Sequence, residues 1–537
     1  MGILWGNGNI YTMTEEGSMA EAIFTEQGTI IEAGEASELE KKYHSRITER
    51  VNLNHATMLP GLVDSHMHLV GHGERLMRLD LSEMKSREEV LRAVRDKCRV
   101  TPEGNWVVAE GWNENEWEDS TLILSDDLDV LSESHPVILK RICRHALVAN
   151  SRAMKEAAVA QDVKEPAGGV IGRYPDGRLN GMFKEDPAQE LVLNCIPGIT
   201  KEYIEAALRM AISDCYRLGL TGCHTEDLHY YNGFLPTYEA FVTVIEKEGM
   251  SFRANLLVHH EAAADVHGHG YSYRGGTTYI EFDSMKIFAD GSLGGNTALL
   301  SKPYSDQPET QGVAIFTPEE LKELVKKARS LHMPVAIHAI GDLAFEYALD
   351  AIEAFPPEQG LRDRLIHAQI MRKDLIHRAK SLPLIFDIQP GFVPSDFPWV
   401  IEKVSSDLIE QSYAWKTYLD EGIHCAGGSD APIEKLNPLL GIHAAVTRTK
   451  PDSEDREIFG EDQCLSVYEA VSLYTKGSAY AIGQEQKRGK IAPGYTADFT
   501  VLDTNIFSAE KSNLLTASAV MTVVDGRIVY KSADYDL

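Results

Sequence analysis

The sequence predicts an α/β protein: a (β/α)8 TIM-type barrel with an inserted subdomain after strand one, plus a small β-sandwich built from both termini. Three observations predict it: short apolar strands that alternate with helical stretches, a long interval after the first strand, and β-rich segments at both ends. The predicted domains are 1–57 and 487–537 for the sandwich and 58–486 for the barrel, with the insertion at about 76–194.

The two ends of the chain are predicted to pair with each other. Residues 3–13, 22–25 and 29–31 have the composition of short strands separated by turns that contain glycine. Residues 497–503 and 520–530 have the same character, and the second segment contains Asp525-Gly526, the signal of a tight hairpin turn. Because neither end is large enough to bury a core alone, we expect one sandwich made from both.

Between the ends, strand and helix patterns alternate. The helical stretches include 201–218, 238–248, 318–331, 343–354 and 467–482, and two of them begin with capping boxes at Thr317 and Ser466. The predicted strands are 58–63, 220–225, 252–258, 284–289, 334–338, 365–368, 384–388 and 423–426. Eight strands favour a closed barrel, although the alternation by itself also fits a doubly wound open sheet.

The interval after the first strand departs from this alternation of strands and helices. Residues 76–194 are far more than a βα connection needs, and they contain strand patterns of their own at 106–110 and 137–142. We therefore expect an inserted subdomain beside the mouth of the barrel.

Composition excludes several classes of function. The 52 basic and 81 acidic residues leave a formal charge of -29, which disfavours nucleic acid and anionic membranes as partners. No apolar run approaches the roughly 18 residues that a membrane span needs, and no secretory signal is visible. The seven cysteines are scattered without a Cys-x-x-Cys pair, so we expect reduced thiols and a cytoplasmic location.

The most informative stretch is 58–68, an apolar run that ends in two histidines. His66 and His68 are two residues apart, so on an extended strand both imidazoles point to the same side. Two imidazoles aimed at one point form half of a zinc-type site. His267 and His269 have the same spacing but lie in a polar, glycine-containing segment, which we interpret as a loop.

Other chemically active residues fall on the later strands or at their carboxyl ends, where barrel enzymes place their active sites. Lys286 lies within the fourth strand, His338 and His367 end the fifth and sixth, and Asp430 follows the eighth. Each has an ordinary structural explanation: a satisfied histidine, a snorkelling lysine, or an aspartate that caps a helix. Those explanations do not account for all six residues falling at corresponding places.

These motifs resemble the amidohydrolase superfamily. Closer features are similar to its YtcJ-like branch, which includes N-substituted formamide deformylases. The resemblance covers nearly the whole chain and is carried by residues 60–68, 110–112, 145–151, 286–294, 427–432 and 489–499.

The resemblance implies a centre of two divalent metal ions. His66, His68 and Asp430 would hold the more buried ion, and His338 and His367 the other. Lys286, carboxylated by carbon dioxide, would bridge both ions as a carbamate, since an ammonium would repel a dication. Glu185 is the alternative bridging group. Zinc is the default ion for a histidine-rich site with one carboxylate, while manganese, cobalt or nickel also fit.

The implied reaction is hydrolysis of a non-peptide C–N bond of amide or formamide type by a metal-activated hydroxide. Asp430 and Lys286 would be the catalytic residues, with Asp430 passing a proton from the water to the leaving nitrogen. The predicted substrate-binding residues are Trp112, His145, Glu185, Gly291 and Gly294. Trp112 has an equally good explanation as a structural aromatic of the insertion.

Two other functions stay open at this point. A deaminase of the same superfamily is disfavoured, because those enzymes place a glutamate shortly after the strand-five histidine, and residues 339–342 contain none. A barrel without activity that serves as a binding protein should have lost metal ligands, and none is missing. The expected partner is a small-molecule substrate, and the resemblance weakly favours a homodimer.

Overall fold

The computed structural model describes residues 2–114, 117–118, 121–141, 146–166, 169–196, 200–451, 457–533 and 535. Contacts within the chain divide it into two compact units. One consists of Met1–His72 and Ile204–Leu537, and the other of Gly73–Tyr203. The domain bounds predicted from the sequence stay a prediction.

The first unit contains a parallel barrel of eight strands in sequence order. Barrel strands 1–8 are Leu62–Met67, Leu220–Thr225, Arg253–His259, Ile280–Phe288, Val335–Ala339, Asp363–His367, Leu384–Ile388 and His424–Gly427. Backbone hydrogen bonds from Asp430 to His66 (2.7 Å) and from His68 to Ala431 (2.7 Å) bring the end of strand 8 back to strand 1. The predicted TIM-type barrel is confirmed in this arrangement.

The first barrel strand is not the one predicted. Residues 58–63 form a single apolar run in the sequence, but the chain divides that run at Gly61. Thr57–Pro60 pairs antiparallel with Phe499–Leu502 in another sheet, and strand 1 is Leu62–Met67. Both pieces are buried, so hydrophobicity alone gives no sign of the boundary.

Helices follow the barrel strands, as the alternation predicts. They are Leu69–Met77, Lys201–Arg217, Phe234–Phe241, Ala263–Gly268, Pro318–Ser330, Asp342–Ala354, Lys373–Ala379, Phe392–Asp396, Trp399–Lys403, Ser406–Ile409, Trp415–Asp420, Pro438–Thr447, Val467–Ser472 and Ser478–Ala481. The capping boxes at Thr317 and Ser466 are both present. In the described part of the chain, none of the helices is both long and apolar enough to cross a bilayer.

Two local expectations fail. The predicted helix 467–482 is interrupted by a π-helical turn at Leu473–Gly477, and Val242–Lys247 is a second such turn. His267 lies in the short helix Ala263–Gly268, so the loop predicted there is wrong. Its side chain therefore does not have the extended geometry that brings His66 and His68 together.

Strands from both ends of the chain share one sheet. In order, they are Arg527–Lys531, Ala519–Val524, Phe499–Leu502, Thr57–Pro60, Gly2–Tyr11, Met19–Glu26 and Thr29–Gly34, with Ile47–Asn52 paired to Gly2–Tyr11. The short helix Ala36–Tyr43 packs here, and Trp5 and Phe499 meet edge to face with ring centroids 5.6 Å apart. The two-layer sandwich stays a prediction.

The second unit has a six-stranded sheet of its own. The strands, in sheet order, are Val170–Arg173, Leu179–Lys184, Ala146–Ala149, Val137–Arg141, Val107–Trp112 and Leu79–Asp80. The helices are Arg87–Val100, Ser125–Asp129, Ser151–Glu156 and Asp186–Leu193. Ser86 caps the first of these helices by accepting the Glu89 N–H.

Arg364 on strand 6 forms a buried charge cluster inside the barrel. Its guanidinium donates to Asp283 (2.6 Å) and Asp387 (2.8 Å), and to the Ser65 carbonyl (2.7 Å). Arg364 and both aspartates are almost fully buried. Because removal of one partner leaves buried charges uncompensated, Arg364→Met should lower the free energy of unfolding by about 3–5 kcal/mol.

Chemical denaturation of the purified variant measures this loss. Arg378→Met is the matched control, since Arg378 also contacts two carboxylates, Asp350 and Glu353, but at the surface. There we expect a change below about 1 kcal/mol. Equal losses of unfolding free energy in the two variants would show that the buried cluster stabilises the protein no more than the surface one.

Candidate metal centre

The residues predicted as metal ligands converge at the carboxyl ends of the barrel strands. Strands 1, 4, 5 and 6 and the segments after strands 1 and 8 supply them: His66, His68, Lys286, His338, His367 and Asp430. All six belong to the first compact unit. Parallel strands end at the same face of a barrel, so residues far apart in sequence meet there.

Asp430 lies close to both His66, on strand 1, and His68, which directly follows that strand. Its Oδ1 is 3.5 Å from Nε2 of His66 and 3.5 Å from Nε2 of His68. Burial alone would raise the pKa of Asp430, but the hydrogen bond from His68 and the nearby positive charges hold it below its usual value. The carboxylate is therefore ionised at neutral pH and available as a ligand.

His338 and His367 form a second pair. Nδ1 of His338 and Nε2 of His367 are 3.0 Å apart. The ring centroids of His367 and His66 are 5.6 Å apart. Burial lowers the pKa of His338 well below its usual range and that of His367 to about 4. Both rings are neutral at neutral pH, the state in which imidazole binds a metal.

Lys286 is fully buried on strand 4 beside these histidines. Its Nζ is 3.3 Å from Nε2 of His66 and lies 4.4 Å from the centre of the Phe288 ring. Burial lowers the pKa of Lys286 to about 8. A larger share of this amine is therefore neutral, and only the neutral amine can react with carbon dioxide.

The backbone is strained at two of the proposed ligands. His367 has a φ of 80° and Asp430 a φ of 56°, and residues other than glycine rarely adopt such positive values. Strain of this kind is retained where the surrounding structure fixes the residue, often at functional sites. His367 ends strand 6, and Asp430 follows strand 8.

Two buried aspartates fix the loops around the centre. Asp64 accepts the N–H groups of His66 and Ser429, and Asp290 accepts those of Leu299, Ile340 and Gly341. Burial raises the pKa of both carboxyls to about 7, against the hydrogen bonds that lower it. Sequence reasoning missed both aspartates, although each sits inside a motif that it singled out.

A comparison with known protein families decides the assignment. The profile described as "Amidohydrolase family" matches residues 49–530. The chain belongs to the amidohydrolase family. The family predicted from the sequence motifs is thereby confirmed.

Individual relatives of this amidohydrolase extend over its full length. The YtcJ protein of Bacillus subtilis is 46% identical over 533 residues, 99% of this chain and 100% of that protein. An N-substituted formamide deformylase of Arthrobacter pascens is 24% identical over 544 residues, 98% of this chain and 97% of that protein. A solved metal-dependent hydrolase of Pyrococcus horikoshii has 28% identity and a TM-score of 0.77, covering 95% of this chain and 99% of its own.

The chemistry of the amidohydrolase centre fits a metal ion. One ligand atom from each of His66, His68 and Asp430 lies within 4.8 Å of the other two. Burial lowers the pKa of His68, but the hydrogen bond and charge of Asp430 outweigh it and raise this pKa to about 9. His68 therefore carries a proton at neutral pH, and a metal ion bound there would replace that proton. The backbone carbonyl of Glu226 is 2.8 Å from Nδ1 of His68, which leaves Nε2 for a ligand.

Glu226 is a further buried carboxylate that sequence reasoning missed. It follows strand 2 directly, is fully buried, and its Oε2 is 3.9 Å from Nδ1 of His68. The Tyr230 hydroxyl is a hydrogen-bond partner of this side chain. A fully buried carboxylate is costly unless such donors or a cation lie nearby. Its position after a barrel strand is the same signal that identifies Asp430.

The side chain of Gln389 orients His367 from strand 7. Its Oε1 is 2.7 Å from Nδ1 of His367, and both residues are buried. Removing such an outer partner of a metal-binding histidine typically weakens metal affinity 10–100-fold. We expect a loss of about that size in Gln389→Leu, measured by zinc competition with a chelator. Gln307→Leu, at an exposed position, serves as the control and should bind zinc as the parent does.

An open cleft leads to the amidohydrolase centre. It has a volume of about 410 Å³ and is lined by His66, His68, His338, His367 and Asp430 together with apolar side chains. Gly294 lines the same cleft, and the carbonyl of Gly291 is 3.0 Å from Nε2 of His338. This size suits a small-molecule ligand.

The remaining predicted substrate residues belong to the second unit. Trp112 is fully buried in the core of that unit, and the centroids of its ring and the Trp117 ring are 5.9 Å apart. This burial favours a structural role for Trp112 over the predicted role in the pocket. Glu185 is exposed before the helix Asp186–Leu193, with φ of 63°. His145 lies outside the described residues. Substrate contact by these residues stays a prediction.

Proposed function

We propose that this amidohydrolase hydrolyses a non-peptide C–N bond of amide or formamide type. The observation that carries the proposal is the convergence of four histidines, Lys286 and Asp430 at one end of the barrel. The N-substituted formamide deformylase relative supports the choice of bond. Four histidines with one carboxylate favour zinc as the bound metal, with manganese, cobalt or nickel as alternatives.

We assign His66, His68 and Asp430 to one ion and His338 and His367 to the other. When bound, two such ions lower the pKa of a water to about 7 and polarise the carbonyl of the substrate. Lys286, once carboxylated, would help to hold both ions, and its burial and lowered pKa support that modification. Glu185 stays the alternative bridge named from the sequence.

Asp430 carries out the proton transfers. Its carboxylate lies close to both His66 and His68 and is ionised at neutral pH. It can therefore accept a proton from the attacking water. The same group then returns the proton to the leaving nitrogen, which departs as the amine. Gly294 lines the cleft, and a Cβ there would meet open space, so a substrate can approach its backbone closely. Gly291 would contact the substrate only through its backbone, since its carbonyl lies beside His338 and a Cβ at this position would meet Thr297.

Removal of the metal should abolish turnover. We expect dialysis against a strong chelator to remove up to two ions per chain with loss of activity, and zinc to restore both. Metal quantification alongside the rate measures this. A barrel that only binds a partner would purify without stoichiometric metal, and full activity in the metal-free protein would contradict the proposal.

A substrate screen separates hydrolysis from deamination. The reloaded enzyme is offered N-substituted formamides, N-acyl amino acids and cyclic amides, and separately heterocyclic amines. We expect release of an amine, or ring opening of the cyclic amides. Release of ammonia from the heterocyclic amines alone would establish the deaminase instead. The homodimer and the cytoplasmic location stay predictions.

A further inference from the structure

A second group of potential metal ligands lies outside the proposed catalytic centre. His229 is in the segment after strand 2, His259 ends strand 3, and Glu261 follows it by two residues. We call these three residues the rim cluster. One ligand atom from each lies within 4.8 Å of the other two.

The contacts within the rim cluster are close. Nε2 of His229 is 2.9 Å from Oε2 of Glu261. The rings of His229 and His259 stack in parallel, with centroids 4.2 Å apart and planes 9° apart. Bonds of about 2.0–2.2 Å from zinc to nitrogen and carboxylate oxygen place neighbouring ligand atoms a little over 3 Å apart. Because an ion lies in the plane of each imidazole that binds it, the ring of the partly exposed His229 would rotate out of its stack with His259 to share an ion with it.

His259 is the buried member of the cluster. It is 7% exposed, and the N–H of Glu261 donates to its Nδ1 over 3.3 Å. Burial, with the neighbouring His260 and His229, lowers its pKa to about 3, so the ring stays neutral. A neutral imidazole has one nitrogen with a lone pair, and in His259 that nitrogen is Nδ1. A cation bound there would displace the long contact from the Glu261 N–H.

A surface ion pair between His229 and Glu261 is the simpler explanation of the cluster. Such a pair is worth little at an exposed position, and it gives no reason for a buried third residue beside it. Two histidines and one glutamate with an open fourth position form a known zinc-binding set. Imidazole-rich sets select zinc, copper, nickel or cobalt over calcium and magnesium.

We propose that the rim cluster binds one divalent cation of the zinc class, separately from the proposed catalytic centre. The Tyr230 ring lies between the two sites, with its centroid 5.6 Å from His229, 5.9 Å from His259 and 6.3 Å from His68. The ion joins the segment after strand 2 to the segment after strand 3. It is held more weakly than the catalytic ions because Glu261 is exposed.

Zinc titration of the full-length enzyme tests the proposal. After the catalytic centre is loaded and excess zinc removed, equilibrium dialysis at graded free zinc should show one additional ion per chain. We expect His229→Ala and Glu261→Gln to weaken that ion at least tenfold, and both positions tolerate substitution because they are not buried. Excess zinc should also raise the melting temperature of the parent, and this rise should be lost in both variants.

His269→Ala is the matched control. His269 is exposed to a similar degree and lies 3.1 Å from Asp265, so it forms a comparable ion pair outside the cluster. It should keep the additional ion. Loss of the ion in this variant as well, or its retention in both rim variants, would overturn the proposal.

The test is independent of the proposed reaction. The additional ion should also bind to Asp430→Asn protein, whatever that substitution does to the catalytic centre. If the enzyme hydrolyses none of the substrates but the rim variants lose the ion, only the proposed function fails. If turnover depends on metal and no additional ion binds, only the rim site fails.

Discussion

Asp430→Asn should lower kcat/KM by about 10²–10⁴-fold, the range expected for loss of a general base. The amide keeps nearly the same shape but cannot accept the proton of the attacking water. It also weakens the ligand set, because Asp430 lies 3.5 Å from both His66 and His68. Steady-state kinetics at saturating zinc separates these effects, since added metal can restore occupancy but not proton transfer.

Asp420→Asn is the matched control for this change. Asp420 is an exposed aspartate of the helix Trp415–Asp420, where it pairs with Lys416. We expect kinetics like those of the parent enzyme and an unchanged thermal transition. Near-normal turnover by Asp430→Asn at full metal occupancy would remove Asp430 from the role of proton carrier.

The sequence was sufficient to predict the barrel and the convergence of its ligands. Strand periodicity, helix caps and the places where strands end are local properties, and barrel topology then brings those ends together. The boundary at Gly61 was not predictable in this way. Residues 58–63 form one apolar run across the boundary, and only the pairing of Thr57–Pro60 with Phe499–Leu502 separates the two strands.

The groups that orient the ligands were harder to predict. Gln389, Asp64 and Asp290 act through hydrogen bonds to imidazole and backbone, and nothing in their local sequence indicates which group they will meet. Glu226 could have been found, because it follows strand 2 as Asp430 follows strand 8. Its contact with His68 spans 158 residues, a separation that a local pattern cannot reveal.

Substitution of Lys286 tests the bridge between the ions. Lys286→Ala should lose most of its turnover, by about 10²–10³-fold, a loss typical of removing one electrostatic stabiliser of a reacting centre. The physical reason is that the proposed carbamate would supply two oxygens that share a negative charge, and alanine supplies none. We expect the metal content to fall from two ions to at most one, while the barrel stays folded.

A small carboxylate should partly replace the lost group. Alanine leaves a cavity where the lysine stem is fully buried, and acetate could enter it and offer two oxygens to the ions. We expect acetate and added zinc together to restore activity and the second ion in Lys286→Ala, with no effect on the parent or on Lys416→Ala. Lys416 pairs with Asp420 and Glu469 at the surface, away from the ligands. Full metal content and a normal rate in Lys286→Ala without acetate would show that the ions do not depend on a lysine bridge.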